Sequence, residues 1–454
     1  MDMSSLMAIS PLDGRYQDKI PILRDIFSEY GLIKYRVMIE IRWLELLANA
    51  HLPEMSKLSV PAKKLLNSII DNFSPLDALQ IKQIEATINH DVKAVEYFLK
   101  ERIASHQELK AMSEFIHFGC TSEDINNLAY ALMLKNTREQ CLLPALSELT
   151  TVLKKCAHDY ASISMLARTH GQPATPTTLG KEFANVIARL QRQIDQLSHA
   201  PILGKLNGAS GNYNALVIAY PNIDWQQQSQ TLLTQLNLTW NPYTTQIEPH
   251  DSMAEFFAIL VRINTILMDF NRNIWGYIAL HYFKQIPISN EVGSSTMPHK
   301  INPIDFENSE GNLGIANALL EHMIVKLPIS RWQRDLSDST VLRNIGVAIG
   351  HSILAFYATL KGIKKLEPNH TLIDAELNQH WEVLGEAIQT VMRRYKLEQS
   401  YEKLKVFMRG HAIDQATLQQ FIMQLSLPEF EKKRLLALTP QQYIGYAEEL
   451  AKKV

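Results

Sequence analysis

Residues 293–302 read GSSTMPHKIN, a short segment rich in side chains that donate, accept or carry charge. Gly293 permits backbone angles that other residues avoid, and two serines, a histidine and a lysine follow it. Asn302 before Pro303 is typical of a helix start, with asparagine as the N-cap and proline in the first turn. The pattern predicts a loop followed by a helix from Pro303, and the loop's length and polar content favour a functional role.

A second polar segment, RTHGQPATP at 168–176, places a histidine between a threonine and a glycine. Prolines at 173 and 176 stiffen the backbone that follows it. An imidazole is the side chain most easily tuned for proton transfer near neutral pH, so His170 is a candidate acid or base. From this segment alone, a histidine that caps a helix beginning near Thr177 explains the pattern equally well.

The segment HFGCTSED at 117–124 has the spacing of a capping box, with Thr121 and Asp124 as its two members. A helix is therefore expected to start here. Its free N–H groups, together with the hydroxyls of Thr121 and Ser122, could also hold a carboxylate or a phosphate. Capping alone explains part of the pattern, but it does not explain why His117 stands directly before it.

In NHDVKAVEYF, at 89–98, the local pattern is structural. Asn89 is interpreted as a helix N-cap, His90 as a polar residue of the first turn and Asp91 as a first-turn acid.

In RWQRDLSDSTVLRN, at 331–344, Arg334 and Arg343 flank Ser339 before an apolar stretch. Guanidinium groups bind carboxylates and phosphates in a fork geometry that lysine cannot copy. Salt bridges to Asp335 and Asp338 are the alternative interpretation.

Helical periodicity dominates the elements that must position these segments. Apolar residues spaced by three and four mark a stripe at 179–197, and further long helices are predicted at 254–280, 311–327 and 341–366. Broad apolar faces on long helices imply an all-α bundle, completed by other subunits. The predicted domains are an N-terminal helical domain at 1–110, a central bundle carrying the polar loops at 111–365, and a C-terminal helical domain at 366–454.

Composition excludes several classes of function. A net charge of −2 over 454 residues gives no electrostatic basis for a nucleic-acid partner. The 15 histidines and three cysteines show no metal-ligand spacing, and neither a P-loop nor a dinucleotide-binding glycine motif occurs. We therefore expect no metal and no cofactor. The chain also lacks a G-x-S-x-G elbow, so a serine here is better considered as a base or acid than as an acyl nucleophile.

The sequence also indicates where the protein works. Three widely spaced cysteines suit a reducing cytoplasm, and the N-terminal MDMSSLMAIS has neither the basic nor the apolar region of a signal peptide. The uncharged stretch 344–360 falls short of the ~20 apolar residues of a membrane span. We interpret it as a buried core helix and expect no membrane partner.

These motifs together carry a resemblance. The pattern G-S-x-x-M-x-x-K-x-N of the fumarase/aspartase superfamily is matched at every fixed position of 293–302. RTHGQPATP, HFGCTSED, NHDVKAVEYF and SPLDGRY (10–16) resemble one branch of it, the adenylosuccinate lyase family. The resemblance covers about 10–344, and the last 90 residues add little. It implies a homotetramer with a central long-helix bundle and active sites built from loops of three subunits. It also implies release of fumarate from succinylated nucleotides of purine biosynthesis.

Residue roles follow from the resemblance alone. Ser294 resembles the general base, expected to act as an alkoxide stabilised by loop N–H groups and Lys300 when the loop closes, and His170 resembles the general acid. Lys300, Asn302, Thr121 and Ser122 resemble donors to the carbanion intermediate, and His90 is a further candidate for orienting the acid. The positions that resemble substrate-binding residues are Arg15, Tyr16, Asn89, His90, Asp91, His117, Thr121, Ser122, Gln246, Ser295, Met297, Lys300, Asn302, Arg334, Ser339 and Arg343.

Three alternatives to this family remain. They are another lyase of the superfamily such as argininosuccinate lyase, a carboxymuconate-type cycloisomerase, and a catalytically silent structural oligomer. His299 weakly disfavours the branches that carry glycine or glutamine there, among them argininosuccinate lyase. Carboxymuconate-type cycloisomerases resemble the chain at 297–300. A catalytically silent structural oligomer would be expected to have lost the loop residues, which are present here.

Overall fold

The computed structural model describes residues 3–288, 295–297, 299–410 and 413–454. These residues are mostly helical, which confirms the predicted fold class. The helices are α1 Met3–Leu6, α2 Pro21–Phe27, α3 Glu29–Asn49, α4 Val60–Asp71, α5 Pro75–Ile88, α6 Asp91–Ile103, α7 Gln107–Ala111, α8 Ser122–Thr137, α9 Leu143–Asp159, α10 Leu179–His199, α11 Asn214–Ala219, α12 Trp225–Gln235, α13 Asp251–Ala279, α14 Ile304–Lys326, α15 Ser337–Leu342, α16 Ile345–Ile363, α17 His370–Asn378, α18 Gly385–Arg394, α19 Ser400–Met408, α20 Gln415–Gln424, α21 Glu429–Leu436 and α22 Ala447–Lys452.

The strands among the described residues form three small pairs. They are β1 Ser164–Thr169 with β2 Gln172–Thr178, β3 Leu203–Gly204 with β4 Thr239–Trp240, and β5 Phe283–Gln285 with β6 Leu366–Pro368. The first and third pairs are antiparallel and the second is parallel. The segment 168–176, expected as a loop, is therefore a β-hairpin.

The chain divides into two compact units. The first comprises Met1–Ala145, Gln193–Thr265 and Gly311–Ala355, and the second comprises Leu146–Arg192, Ile266–Glu310 and Phe356–Val454. In the first unit, α3 is buried along most of its length and packs against α2, α6 and α8. Its apolar residues, such as Val37 and Trp43, are fully buried and form the centre of that unit.

Buried polar residues fix the register of the long helices within each unit. In the first unit, the Asn264 side chain donates to Asn317 at 2.9 Å and to Ser352 at 3.0 Å. In the second, Asn271 donates to the hydroxyl of Ser309 at 2.8 Å, and Thr359 donates back to Asn271 at 3.1 Å. Such contacts disfavour other helix registers, because sliding by one residue would leave buried polar groups unpaired.

The apolar helical stretch that was interpreted as core is long enough to cross a membrane by length and composition. It runs over Ser337–Ile363, and 61% of its most apolar window is buried inside the protein. It also contains the buried polar residues His351 and Ser352, and the His351 ring is hydrogen-bonded to Asn312 at 2.8 Å. These properties are those of a core helix.

Two helix boundaries differ from the prediction. The stretch predicted as one helix at 341–366 contains a break at Arg343–Asn344, where hydrogen bonds run from Asn344 to Val341 and from Val347 to Asn344, the spacing of a tighter turn. The helical stretch predicted at 311–327 is the C-terminal part of α14, Ile304–Lys326, whose start lies one residue after the predicted start at Pro303.

Candidate active site

The first turn of α8 is the structural centre of the polar segments in the first unit. The helix begins at Ser122, and the backbone N–H of Thr121 donates to the Asp124 carboxylate at 2.8 Å. The predicted helix start is therefore confirmed. Thr121 and Ser122 are both half-buried, so their hydroxyls and the first-turn N–H groups form a partly desolvated donor set.

Arg36 of α3 joins α8, at Asn126, to the segment that carries Asp91. Its side chain is 2% exposed, and it donates to the Asp91 carboxylate at 2.7 Å and to the Asn126 side chain at 2.9 Å. Burial raises the pKa of Asp91, but the Arg36 guanidinium, the Val92 N–H and Arg343 together outweigh that effect and hold the pKa below its ordinary value. Asp91 is therefore a carboxylate locked to the core rather than a freely moving surface acid.

One helical turn further along α3, Glu40 contacts His117. A Glu40 oxygen lies 2.6 Å from His117 Nδ1, and the glutamate side chain is fully buried. Trp43, three residues later, donates from its indole N–H to the carbonyl oxygen of Phe118 at 3.0 Å. The turn before α8 is thus held at two consecutive residues by the same helix.

Asn89 and His90 are placed differently from the prediction. Asn89 closes α5 in a left-handed conformation with φ of 54°, and its N–H donates to Glu85 O at 2.7 Å. His90 is the N-cap of α6, where its Nδ1 accepts from the Lys93 N–H at 3.2 Å. The N-cap assignment of Asn89 was wrong because asparagine also tolerates the left-handed end of a helix. The predicted position of Asp91 in the first turn is confirmed.

The segment 331–344 brings its predicted residues to the same region. Arg334 pairs with the buried carboxylate of Glu123, the second residue of α8. Arg343 donates to the Ser339 hydroxyl at 2.8 Å and lies 3.7 Å from Asp91. The alternative interpretation was a salt bridge within the segment. Arg334 does lie near Asp338, but their charged atoms are 3.9 Å apart, so this contact is the weaker of the two that Arg334 makes.

His250 is a buried histidine that the sequence did not single out. Its backbone has φ of 67°, its N–H donates to Glu248 at 2.8 Å, and its Nε2 lies 3.5 Å from Asp338. Burial raises the pKa of Asp338, but the hydrogen bond with His250 and the nearby Arg334 bring the pKa below its ordinary value. His250 thereby supports the start of α15, which carries Ser339.

A buried ion pair ties α8 to the loop after β3. Lys205 Nζ lies 2.9 Å from the Asp124 carboxylate, and both side chains are fully buried. The N–H groups of Asn207 and Gly208 donate to the same carboxylate at 2.9 and 3.1 Å. Gln246, a predicted binding residue, donates to the carbonyl oxygen of Ala209 in this loop at 3.2 Å.

Arg15 and Tyr16 lie in the turn region between α1 and α2 of the first unit. Arg15 is exposed, and its guanidinium carbon lies 5.9 Å from the centre of the half-buried Tyr16 ring. This is a cation–π contact at the outer limit of useful distance.

His170 lies at the tip of the β1–β2 hairpin in the second unit. Thr169 pairs with Gln172, so His170 and Gly171 form a two-residue turn, and both have positive φ, 53° and 74°. Such turns match the twist of the flanking strands. The imidazole is exposed, on a backbone fixed by strand pairing rather than in a loop. It does not cap α10, since the Lys181 N–H of that helix bonds to Thr178 Oγ1 at 3.1 Å.

Two carboxylates and one backbone carbonyl of the second unit hold this hairpin. Arg168 pairs with Glu376 of α17, and Thr175 donates to Glu386 of α18 at 2.6 Å. Ser164 donates to the carbonyl oxygen of Gln441 at 2.7 Å. The C-terminal residues therefore fix the strands that present His170.

The segment 293–302 is described only in part. Gly293 and Ser294 lie outside the described residues. Ser295, Met297 and Lys300 are exposed and Asn302 is half-buried. The Lys300 N–H donates to Met297 O at 3.0 Å, and the helix after the loop begins at Ile304, one residue later than predicted.

The first unit thus brings together most of the predicted binding residues that it contains. Thr121 and Ser122 open α8, and Arg334 contacts its first turn through Glu123. Ser339, Arg343, Asp91 and Arg36 form a chain of contacts that reaches the same helix at Asn126, and His117 directly precedes the helix and is held by Glu40. His170 and the 295–302 loop residues belong to the second unit. Among the residues that the structure describes, no group of His, Cys, Asp and Glu side chains is arranged to hold a metal ion.

Comparison with known families identifies the kind of protein to which these residues belong. Residues 14–317 match the family described as lyase, and residues 330–444 match the family described as adenylosuccinate lyase C-terminal. Adenylosuccinate lyase of Haemophilus influenzae is 58% identical over 455 residues, which is 100% of both chains. That of Escherichia coli K12 is 59% identical over 448 residues, or 98% of each.

The chain belongs to the adenylosuccinate lyase family. The family match at 330–444 also covers most of the C-terminal region, in which the sequence motifs gave little signal. Two solved structures share the fold of this adenylosuccinate lyase family member. They are fumarate lyase from Mesorhizobium sp. BNC1, with a TM-score of 0.77, 17% identity and coverage of 95% and 96% of the two chains, and 3-carboxy-cis,cis-muconate lactonizing enzyme from Pseudomonas putida, with 0.73, 23% and 95% of each. At these identities the likeness concerns the fold alone.

Proposed function

We propose that this protein releases fumarate from adenylosuccinate, leaving AMP, and from the succinylated aminoimidazole carboxamide ribotide of purine biosynthesis. The observation that carries the proposal is full-length identity of 58% to 59% with adenylosuccinate lyases. The reaction is an anti elimination that breaks a carbon–nitrogen bond. The protein is accordingly a carbon–nitrogen lyase.

Two residues share the proton transfers in this proposal. Ser294 takes the proton from the β-carbon of the succinyl group, and the electron pair left behind forms the double bond of fumarate. The carbon–nitrogen bond breaks, and His170 delivers a proton to the leaving nitrogen. Each role of this type is typically worth ~10²–10⁴-fold in rate. The exposure of His170 on a rigid hairpin tip supports its part, because a general acid must reach the substrate.

The carbanion formed by proton removal places two negative charges on one carboxyl group. Preorganised donors stabilise such charge by about 3 kcal/mol each. The first turn of α8, with Thr121 and Ser122, supports this role, since helix N-termini favour anions. Lys300 and Asn302 would supply further donors. Arg334, Ser339 and Arg343 would bind the anionic groups of the nucleotide.

We further propose a cytoplasmic homotetramer, with three helical domains at 1–110, 111–365 and 366–454 and active sites completed by neighbouring subunits. Exposed apolar side chains on the long helices support self-association, among them Trp275 at 47%, Ile315 at 51% and Val325 at 68% exposure. Analytical ultracentrifugation measures the mass, and a monomer at micromolar concentration would contradict the assembly.

The activity is tested by the absorbance change on mixing the purified protein with adenylosuccinate. Wild type is expected to turn over, and Ser294→Ala and His170→Ala are each expected to lose at least ~10²-fold in kcat. His158→Ala, which removes another exposed histidine of the second unit, is the matched control and should remain active. Near-full turnover by Ser294→Ala alongside an inactive His170→Ala would mean that Ser294 is not the base. No fumarate from wild type would contradict the function itself.

A further inference from the structure

Three side chains of α3 form a polar stripe inside the first unit. Arg36, Glu40 and Trp43 are spaced by four and three residues, so they lie on one face of the helix. Each is at most 2% exposed, and each contacts a segment that carries proposed site residues. Glu40 is the member whose burial demands an explanation.

An ionised carboxylate in an apolar interior is strongly disfavoured without a partner. One oxygen of Glu40 lies 2.6 Å from His117 Nδ1, while the other is buried without a hydrogen-bond partner among the described residues. An imidazolium at His117 supplies the opposite charge that a buried carboxylate at this distance needs. His117 then donates Nδ1–H to Glu40 and keeps Nε2–H for a second acceptor.

The surroundings of His117 favour the same charge state. Its backbone is held in the left-handed region, at φ of 60°. Burial lowers the pKa of His117, but the Glu40 carboxylate raises it, with smaller contributions from Glu96 and Asp124, and the pKa lies above its ordinary value. Asp124 is itself neutralised by Lys205, so Glu40 is the principal source of the effect.

We propose that Glu40 is a positioning residue, which holds His117 as an imidazolium directed at a carboxylate of the succinyl group. Because that carboxyl group gains negative charge as the β-proton leaves, a cation beside it stabilises the transition state more than the bound substrate. Loss of Glu40 should therefore reduce kcat more than it raises KM. This inference rests on the proposed function.

The test compares pH profiles of kcat for wild type and Glu40→Gln, which keeps the shape of the side chain and removes its charge. Without the Glu40 carboxylate, burial is opposed only by the smaller contributions of Glu96 and Asp124, so the imidazolium of His117 is lost at lower pH. We expect the alkaline limb to move at least one pH unit toward acid. At pH 8, kcat should fall about 10-fold, and part of the loss should be recovered at pH 6.

Trp43→Phe is the matched control, since it removes the other contact of α3 with this turn, the bond to Phe118, without changing any charge. Its pH profile should keep the position of wild type. A Glu40→Gln profile that coincides with wild type, or an equal displacement in Trp43→Phe, would overturn the proposal. An inactive wild type would instead contradict the proposed function.

A second measurement needs no variant and decides the question if Glu40→Gln does not fold. Exchange of the imidazole C2 proton in D2O, followed by mass spectrometry of peptides, gives the pKa of each histidine in the intact protein. The pKa of His117 should lie above the ordinary value of ~6.5. A value at or below it would overturn the proposal.

Discussion

Replacing Lys205 with methionine tests how the first turn of α8 is held in place. Lys205 Nζ lies 2.9 Å from the Asp124 carboxylate in a fully buried pair. At an effective dielectric constant of ~20, the attraction between unit charges at this distance is about 6 kcal/mol, much of which desolvation offsets. Removing one partner of such a pair typically costs ~3–5 kcal/mol, because the other charge stays buried.

The expected loss lies near the lower end of that range. Asp124 would retain its hydrogen bonds from the N–H groups of Thr121, Asn207 and Gly208, at 2.8, 2.9 and 3.1 Å. These donors still stabilise the carboxylate when the ammonium group is gone. We therefore expect Lys205→Met to lower the free energy of unfolding of the first unit by about 3 kcal/mol.

Lys364→Met is the matched control. Lys364 pairs with Glu148 at 3.4 Å, but the two side chains are 56% and 52% exposed. Exposed pairs of this kind contribute ~0–1 kcal/mol and are screened by salt. Both variants remove a lysine ammonium group from an ion pair. The difference between their free energies of unfolding therefore reports the effect of burying the pair.

Urea unfolding at a fixed protein concentration measures both variants, with far-UV circular dichroism and tryptophan fluorescence as probes. The Lys205→Met midpoint should fall well below that of Lys364→Met, and 1 M NaCl should leave the difference largely intact. Equal midpoints in the two variants would refute the reasoning that the buried charge pair anchors α8.

Three further outcomes are expected. Gly119→Ala should lower the free energy of unfolding by ~1–3 kcal/mol, because φ is +68° and a new Cβ would lie 2.2 Å from Leu216. A thermal unfolding scan measures the change, and an unchanged midpoint would contradict this expectation. Arg343→Lys should raise KM about 10-fold in steady-state kinetics, since one ammonium cannot replace the guanidinium fork, and an unaltered KM would exclude a binding role. Glu376→Gln should lower kcat about 10-fold with little change in KM, because Arg168 of the hairpin loses its charged partner on α17. A kcat equal to that of wild type would count against a role of Glu376 in positioning His170.

Helical periodicity was a reliable guide because the apolar stripes are long. The stripe at 179–197 corresponds to α10, Leu179–His199, and the predicted helix at 254–280 corresponds to α13, Asp251–Ala279. Boundaries were less certain. Gly311 and Gly314 are weak helix formers, yet α14 passes through both of them, since packing along the whole helix outweighs the cost of ~1 kcal/mol per glycine.

The partners of the site residues were beyond sequence reasoning. His117 and Glu40 are 77 residues apart, and Arg36 and Asp91 are 55 apart. No local pattern links such pairs. One local signal was available, because Arg36 and Glu40 are charged residues that flank the apolar run 37–39. A buried charge in such a helix must have a partner.

A positive φ angle is shared by several residues in and around the proposed site, and no sequence motif predicted it directly. Asn89, His117, His170 and His250 all have φ between 53° and 67°, a region that residues with a Cβ enter at a cost. Three of the four are predicted site residues, and the fourth supports the segment that carries Ser339. Such conformations persist only where the surroundings fix them, as the hairpin does for His170 and the α3 stripe does for His117. The rigidity that orients these imidazoles therefore comes from residues remote in sequence. Loss of Glu40, Arg36 or Glu376 should accordingly reduce kcat, although none of these residues is proposed to contact the substrate.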